Sequence, residues 1–181
     1  MLSQDESEKD SSPPRIYCSI DQMKDIRAGK ECEVGSKATW SVSSWIPGHG
    51  VRLLSGNNKN TYWKSCGTFP HLVNIQFRNE TVISHVYIYV DYALDKCYTP
   101  SIISIRTGSN FDDLEEYKLI ELVRRRYWIK IRIPDLLKIN LLQIAVLKTN
   151  DDCDDCIIRL IKIHSPTSKF YRTYNILKLW R

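Results

Sequence analysis

Ala38-Thr-Trp-Ser-Val-Ser-Ser-Trp-Ile-Pro-Gly-His-Gly-Val51 opens the stretch that decides the fold. After an Asn-rich turn it continues as Thr61-Tyr-Trp-Lys-Ser-Cys-Gly-Thr-Phe-Pro-His-Leu-Val-Asn-Ile-Gln-Phe77. A short strand enters this stretch, an alternating strand leaves it, and a long loop lies between them. The loop is rich in Gly and Trp, which predicts a sharply bent backbone held down by large rings. Loops of this length in a compact chain are usually functional.

Downstream of this stretch, apolar residues recur with a period of two. Alternation over residues 73–77, 86–90, 103–105 and 129–133 predicts half-buried strands, whereas residues 141–147 and 157–163 are apolar on nearly both faces. Several β-branched runs are separated by turns with almost no helix between them. The pattern therefore predicts an all-β sandwich, with the two doubly apolar runs as central strands.

The two ends of the chain differ from this middle part. Residues 1–15 are polar and charged, so they have too little apolar surface to fold alone. Ser19, with Gln22 three residues later and a stop at Gly29, predicts a short helix over residues 20–28. After residue 163 the alternation is lost. We therefore divide the chain into an N-terminal extension (1–15), a sandwich domain (16–165) and a C-terminal tail (166–181).

Composition restricts the function classes. With 181 residues of which 43% are hydrophobic, the chain has enough apolar surface for one core. Its net charge of +5, with both signs interspersed, is weak support for nucleic-acid binding. No apolar run approaches the roughly 20 residues that span a bilayer, and the acidic N-terminus is not a secretory signal. We therefore expect an intracellular protein with reduced thiols, bound neither to nucleic acid nor to a membrane.

Catalytic and metal-binding patterns are weak. The four histidines are scattered, and no nucleophile, base and oxyanion donor occur together, so we predict a protein that is not an enzyme. Cys153-x-x-Cys156 supplies two of the four ligands of a structural zinc, and the neighbouring aspartates are an alternative set for calcium. Aspartates between two apolar strands usually form a solvated turn, which is the favoured interpretation. No metal or cofactor is predicted.

Several motifs carry a family resemblance that covers roughly residues 34–163. They are Ala38-x-Trp40-Ser41-x-Ser43-Ser44, Thr61-Tyr62-Trp63, Pro70-His71-Leu72-Val73-Asn74, Asp91-Tyr92, Tyr98-Thr99-Pro100-Ser101 and Gln143-Ile144-Ala145-Val146-Leu147. The chain resembles the DOC domain, and specifically the small DOC-domain subunit of the anaphase-promoting complex, a multisubunit ubiquitin ligase. That resemblance implies a jelly-roll β-sandwich of the galactose-binding-like class.

The resemblance also implies a role. Such a subunit is a non-catalytic substrate-recognition and processivity factor that works in the nucleus and cytoplasm. One end of the sandwich forms part of a receptor for destruction-box peptides, and an activator protein forms the rest. Carried over to this sequence, the degron-binding residues are Ser44, Ser65, Gly67, His71, Asp155, Cys156 and Arg159. The family commonly has Gln-Ser-Asp-Gly where this chain has Lys64-Ser65-Cys66-Gly67.

The C-terminus carries a second part of the resemblance. The family ends in an Ile-Arg dipeptide that enters a groove in a tetratricopeptide-repeat scaffold subunit of the ligase. Here the end reads Leu179-Trp180-Arg181. Because a carboxylate pair recognises arginine through demanding geometry, the retained Arg181 favours a scaffold-binding tail.

Two further interpretations concern partners. Galactose-binding-like sandwiches often bind sugars through loop aromatics, so a carbohydrate-binding module is the alternative function, because fold alone does not separate the two. The basic run 124–126, followed by Lys130 and Arg132, is interpreted as an edge strand whose charges prevent unwanted pairing or dock on an acidic neighbour.

Overall fold

The computed structural model describes residues 23–124, 126–133 and 138–171. The strands are β1 Glu31–Glu33, β2 Ala38–Val42, β3 Trp63–Lys64, β4 His71–Val82, β5 His85–Asp91, β6 Pro100–Gly108, β7 Glu115–Glu121, β8 Arg126–Arg132, β9 Lys138–Thr149, β10 Ile157–Ile158 and β11 Leu160–Pro166. Two short helices, α1 Lys24–Arg27 and α2 Tyr92–Asp95, accompany them, and residues 168–171 are helical.

Two antiparallel sheets make the sandwich. One has four strands in the order β1-β11-β5-β8, and the other has five in the order β2-β4-β9-β6-β7. Side chains from both sheets form one buried apolar cluster, which includes Val73 and Ile144 from the larger sheet and Ile88 and Ile161 from the smaller one. The predicted all-β sandwich is confirmed, since each sheet buries one apolar face against the other.

The alternation of the sequence corresponds to the two faces of the larger sheet. Val73, Ile75 and Phe77 of β4 are buried, whereas Gln76 between them is exposed. Strand β9, which contains the doubly apolar run 141–147, is the middle strand of the five. Its central position is confirmed, because it pairs with β4 on one side and with β6 on the other.

The outer face of the smaller sheet is covered by the long loop. Tyr89 and Trp128, whose ring centroids lie 5.0 Å apart, are buried although they point away from the core. The ammonium of Lys59 lies 4.8 Å from the centre of the Tyr89 ring. Lys162 extends the cover by donating to the Ser55 carbonyl at 3.0 Å. The loop therefore protects aromatic residues that alternation alone places on a solvent-facing side.

Two histidines help to hold β1 at the end of the sandwich opposite the long loop. The buried Glu31 carboxylate accepts a hydrogen bond from the Ser84 hydroxyl at 2.7 Å. Nδ1 of His85 lies 2.5 Å from the same carboxylate, and Nδ1 of His164 lies 3.1 Å from it. These contacts join β1, β5 and β11, so both side chains support the fold.

Several elements differ from the sequence predictions. Within the described residues, the predicted helix 20–28 is only α1, and its proposed cap at Ser19 lies outside the described residues. The run 157–163 is divided between β10 and β11, with Arg159 between them. Strand β7 was not predicted, because its sequence Glu-Glu-Tyr-Lys-Leu-Ile-Glu alternates poorly. The edge position predicted for the basic strand β8 is confirmed.

Candidate functional site

One end of the sandwich gathers the loops that contain the predicted degron-binding residues. Strands β2 and β9 end there and β4 and β6 begin there, as the pairings Val42↔Val73, His71↔Val146 and Pro100↔Thr149 show. We call this end the rim and define it as loops 43–62, 65–70, 92–99 and 150–156. Five of the seven predicted residues lie in these loops, His71 directly follows loop 65–70, and Arg159 directly follows β10, although the sequence separates the seven by up to 115 positions.

Ser65 and Cys156 join two of the rim loops. The amide of Ser65 donates to the carbonyl of Cys156 at 3.0 Å, and the amide of Cys156 donates to the hydroxyl of Ser65 at 2.7 Å. Both residues are fully buried. Burial raises the pKa of the Cys156 thiol to about 12, so the thiol stays protonated. Both side chains therefore support the rim from inside.

His71 and Arg159 also lie inside the protein. Nε2 of His71 lies 2.5 Å from the carbonyl oxygen of Asp154, so this nitrogen donates the hydrogen bond and fixes the loop backbone. Arg159 is only 5% exposed and pairs with Asp95, which is 4% exposed, through contacts of 2.6 Å and 2.8 Å. Its third nitrogen donates to the carbonyl of Lys59 at 2.8 Å.

The remaining three predicted residues reach the surface. Ser44 is half-buried, and its hydroxyl accepts a hydrogen bond from the Cys66 amide at 3.1 Å. Gly67 is exposed with a φ of +97°, a left-handed conformation that favours glycine. Asp155 is half-buried. Peptide contact by all seven residues stays a prediction, and only these three positions keep surface exposed to solvent in the structure.

Contacts between the loops make the rim one surface. The amide of Ile46 donates to the carbonyl of Lys64 at 3.0 Å, which ties the long loop to β3. The ammonium of Lys64 lies 3.8 Å from the centre of the Tyr98 ring, which ties β3 to loop 92–99. Strand β3 also pairs with β10, directly after loop 150–156. Trp63 is fully buried and packs in the apolar core beneath the rim.

Sequence reasoning missed the apolar surface of the rim. Trp45 is 57% exposed and Leu94 is 61% exposed, which is unusual for such large apolar side chains. Trp45 borders a cavity of about 600 Å³ whose apolar lining includes Trp40, Val42 and Val51. The sequence contained one indication of this surface: Trp45 precedes Ile46-Pro47 in a loop and belongs to no alternating pattern that would bury it.

The aspartates of loop 150–156 form a turn with ion pairs. Asp151 lies 2.6 Å from the guanidinium of Arg124, and Asp152 lies 3.4 Å from the ammonium of Lys148. Two of the four aspartate carboxylates are thus paired with basic side chains, which supports the prediction that this segment forms a turn rather than a metal site. Over residues 23–124, 126–133 and 138–171, no group of three or more His, Cys, Asp or Glu side chains is placed to hold a metal ion.

The expectation of reduced thiols is wrong for two rim cysteines. Cys97 and Cys153 form a disulfide with their Cα atoms 5.6 Å apart, although 56 positions separate them in sequence. Loops 92–99 and 150–156 converge at the rim and bring the two sulfur atoms together, which spacing alone did not reveal. The disulfide also removes Cys153 from the Cys-x-x-Cys pair considered for zinc.

Two sequence predictions concern other parts of the chain. The proposed tail residues Leu179, Trp180 and Arg181 lie outside the described residues, as does the N-terminal extension 1–15. Within the part of the chain that the structure describes, no helix has both the length and the apolar character needed to cross a membrane.

The fold and the rim define a jelly-roll sandwich of the galactose-binding-like class. The structure is similar to that of the family 32 CBM from C. perfringens NanJ in complex with galactose, with a TM-score of 0.66 and 11% sequence identity over 75% of this chain and 99% of that chain. At this identity the likeness shows the fold alone.

Sequence comparison shows the family. The model of the family described as "Anaphase-promoting complex, subunit 10 (APC10)" matches residues 6–178, and the chain belongs to this family. It is 47% identical over 150 residues to anaphase-promoting complex subunit 10 of Drosophila melanogaster, covering 81% of this chain and 77% of that protein. It is 45% identical over 163 residues to subunit 10 of Homo sapiens, covering 88% of both.

Proposed function

We propose that this chain is a non-catalytic subunit of the anaphase-promoting complex ubiquitin ligase and that it helps hold substrates on the ligase. The rim forms part of a receptor for destruction-box peptides, an activator protein forms the rest, and the tail ending in Arg181 anchors the subunit to a tetratricopeptide-repeat scaffold subunit. The protein works in the nucleus and cytoplasm. Family membership supports the assignment to the complex.

The observation that carries the recognition role is the combination of rigid support and exposed apolar surface at the rim. Buried contacts of Ser65, His71 and Arg159 fix the loop backbones. Trp45 and Leu94 are left exposed on those fixed loops, and an apolar cavity adjoins Trp45. Preorganised loops with an aromatic anchor suit an extended peptide, because the loops themselves lose little conformational entropy when the peptide binds.

The chemistry of the rim supports a non-catalytic role. The Ser65 hydroxyl is buried and accepts a backbone hydrogen bond, and the Cys156 thiol is held protonated by burial. The ring of His71 is engaged with the carbonyl of Asp154. The Ser65 hydroxyl and the His71 ring thus position loop backbone, and the Cys156 thiol is enclosed beside them.

Weak peptide binding is sufficient for this function. A peptide that contacts both an anchored subunit and an activator experiences a high effective local concentration, so its overall affinity exceeds that of either contact. A longer stay on the ligase allows more ubiquitin molecules to be added in one visit. We therefore expect the rim to slow substrate dissociation and to leave the chemical step to other subunits.

A peptide titration tests the rim. Fluorescence anisotropy of a labelled destruction-box peptide is measured with the activator and either the wild-type chain or Trp45→Ala. Because a central tryptophan contact is typically worth about 2 kcal/mol, the apparent Kd should rise by roughly 30-fold. The control is Phe111→Ala, since Phe111 is 54% exposed and lies in the β6–β7 turn at the opposite end. If Trp45→Ala and Phe111→Ala bound the peptide with equal affinity, the claim that the surface around Trp45 contacts the peptide would be refuted.

Two further measurements complete the test. Galactose is titrated against the same protein, because the carbohydrate-binding alternative rests on fold similarity to a galactose complex. Saturable sugar binding without peptide binding would favour that alternative. For the tail, recovery of ligase subunits is compared between the full chain and a chain without Trp180 and Arg181. Equal recovery would show that the tail is not the anchor.

A further inference from the structure

The Cys97–Cys153 disulfide joins two loops of the rim. Cys97 lies in loop 92–99 and Cys153 in loop 150–156, and both residues are half-buried. Cys32 and Cys66 are exposed free cysteines, whereas Cys156 is buried. The disulfide thus lies at an accessible position where two loops meet.

Other contacts between these two loops are concentrated at their base. The amide of Asn150 donates to the carbonyl of Thr99 at 3.0 Å, and its side-chain nitrogen donates to the same carbonyl at 2.9 Å. Further out, Asp151 and Asp152 both have a φ of +54°, in the left-handed region. Their ion pairs with Arg124 and Lys148 are exposed and therefore weak.

The far half of loop 150–156 has separate support. The carbonyl of Asp154 is bonded to His71, and the amide of Cys156 is bonded to Ser65. Neither contact involves loop 92–99. The Thr149 hydroxyl also donates to the Cys153 carbonyl, which ties Cys153 to the end of β9. Loss of the disulfide would therefore release residues 151–153 from loop 92–99 while leaving residues 154–156 in place.

We propose that the Cys97–Cys153 disulfide is a redox-sensitive clasp that sets the conformation of the rim. With the disulfide formed, loop 150–156 is fixed against loop 92–99. With the disulfide reduced, Asp151 and Asp152 leave their left-handed conformation and peptide binding at the rim weakens. The change in loop conformation is argued from the contacts of the two loops alone, whereas the effect on peptide binding rests on the proposed function. In a reducing compartment disulfides are commonly transient or redox-sensing, which fits a reversible bond at the surface.

A dithiol reductant supplies the two electrons. Its first thiolate attacks one protein sulfur, the S–S bond breaks, and the other protein sulfur leaves as a thiolate that takes up a proton. The second thiolate of the reductant then attacks the mixed disulfide. This step releases the second protein thiol and leaves the reductant as an internal disulfide. Oxidation by a disulfide reagent reverses both steps.

The first experiment measures the clasp without any peptide. The full chain is prepared oxidised and after treatment with dithiothreitol, accessible thiols are counted by maleimide mass tagging, and amide hydrogen exchange is followed by NMR. Reduction should add two thiols and speed exchange at Asn150 at least tenfold, because the hydrogen bond from its amide to Thr99 opens more often once the disulfide no longer holds the two loops together. Exchange at Cys156 should stay unchanged, because its amide is bonded to Ser65. An unchanged thiol count, or equal exchange at Asn150 in both states, would overturn the clasp.

Variants separate the disulfide from general effects of the reductant. Cys97→Ser/Cys153→Ser should show the fast exchange of the reduced chain with or without dithiothreitol. The control Cys32→Ser, which removes an exposed free cysteine, should respond to reduction as the wild type does. A reductant response that persists in the double variant would contradict the proposal.

The peptide arm distinguishes the clasp from the proposed function. The destruction-box peptide is titrated with the activator and the oxidised or reduced chain, and we expect at least fivefold weaker binding after reduction. Equal affinity in both states, with the exchange difference present, would refute control of binding by the clasp. Absence of peptide binding in both states would count against the proposed function, while the thiol count and the exchange rates would still support the clasp.

Discussion

Replacement of Arg159 by methionine tests whether this residue supports the rim from inside. Methionine keeps much of the length of the side chain and removes its charge. In the folded chain this change leaves Asp95 buried without its guanidinium partner, since two contacts of 2.6 Å and 2.8 Å are lost. It also removes the donor to the Lys59 carbonyl at 2.8 Å. The hydrogen bond with Asp95 raises the pKa of Arg159, so the cation is present at any physiological pH.

The expected loss of stability is large. Removal of one partner from a buried ion pair typically costs about 3–5 kcal/mol, because the other charge stays desolvated. Domains of this size unfold with roughly 5–15 kcal/mol, so the variant should lose a substantial part of its stability. Asp95→Leu/Arg159→Met should recover about 2 kcal/mol or more relative to the single variant, because an apolar pair of similar volume carries no buried charge.

The assay is urea unfolding at pH 7, with Arg124→Met as the matched control. Arg124 pairs with Asp151 at a similar distance of 2.6 Å, but the two side chains are 55% and 51% exposed. Loss of this exposed pair should change the unfolding free energy by less than about 1 kcal/mol. If Arg159→Met destabilised the protein no more than Arg124→Met, the assignment of Arg159 as an internal support would be refuted.

Three other predictions concern buried polar groups. Burial acts to raise the pKa of Glu31, but hydrogen bonds from His164 and His85 outweigh it, so the pKa in the folded chain is lowered. The carboxylate therefore stabilises the folded chain above the unfolded pKa of about 4.3, and this stabilisation is lost as pH falls toward the folded pKa. Urea unfolding should therefore show a larger loss for Glu31→Gln at pH 7 than at pH 3, and an equal loss would contradict this. Ser65→Ala leaves a buried amide without its acceptor and should lower the unfolding free energy by about 1–3 kcal/mol, as measured by urea unfolding; a neutral effect would exclude this hydrogen bond as a support. Cys156 should resist iodoacetamide at pH 8.5 in the folded chain and react after unfolding, because burial raises its pKa to about 12; alkylation at the rate of an exposed thiol would show that the site is open.

Local pattern was sufficient for the strands of the core. In β4, Val73 and Ile75 alternate with Asn74 and Gln76, and this period of two is the geometry of a strand with one buried face. The doubly apolar run in β9 predicted a central strand, because apolar residues on both faces are typical of a strand covered on both sides, and β9 is the middle strand of the larger sheet. Strand β7 was not predicted, because its residues alternate poorly. It forms a strand because it pairs with β6, and this pairing is not visible in its own sequence.

The candidate site was predicted in location but not in the role of its residues. Family motifs placed seven residues in loops that do meet at the rim. Whether a side chain faces inward is decided by contacts such as that of Arg159 with Asp95, which lies 64 positions away. The exposed surface around Trp45 was missed for the same reason, because exposure depends on which other loops pack nearby.

The sequence by itself determined the class of fold, because strand alternation and family motifs are local properties of the chain. Only the tertiary structure decided which rim residues are internal supports and that Cys97 and Cys153 are bonded. Both outcomes depend on loops that are distant in sequence and converge at one end of the sandwich. Such convergence is fixed by the packing of two sheets, and no single stretch of sequence contains it.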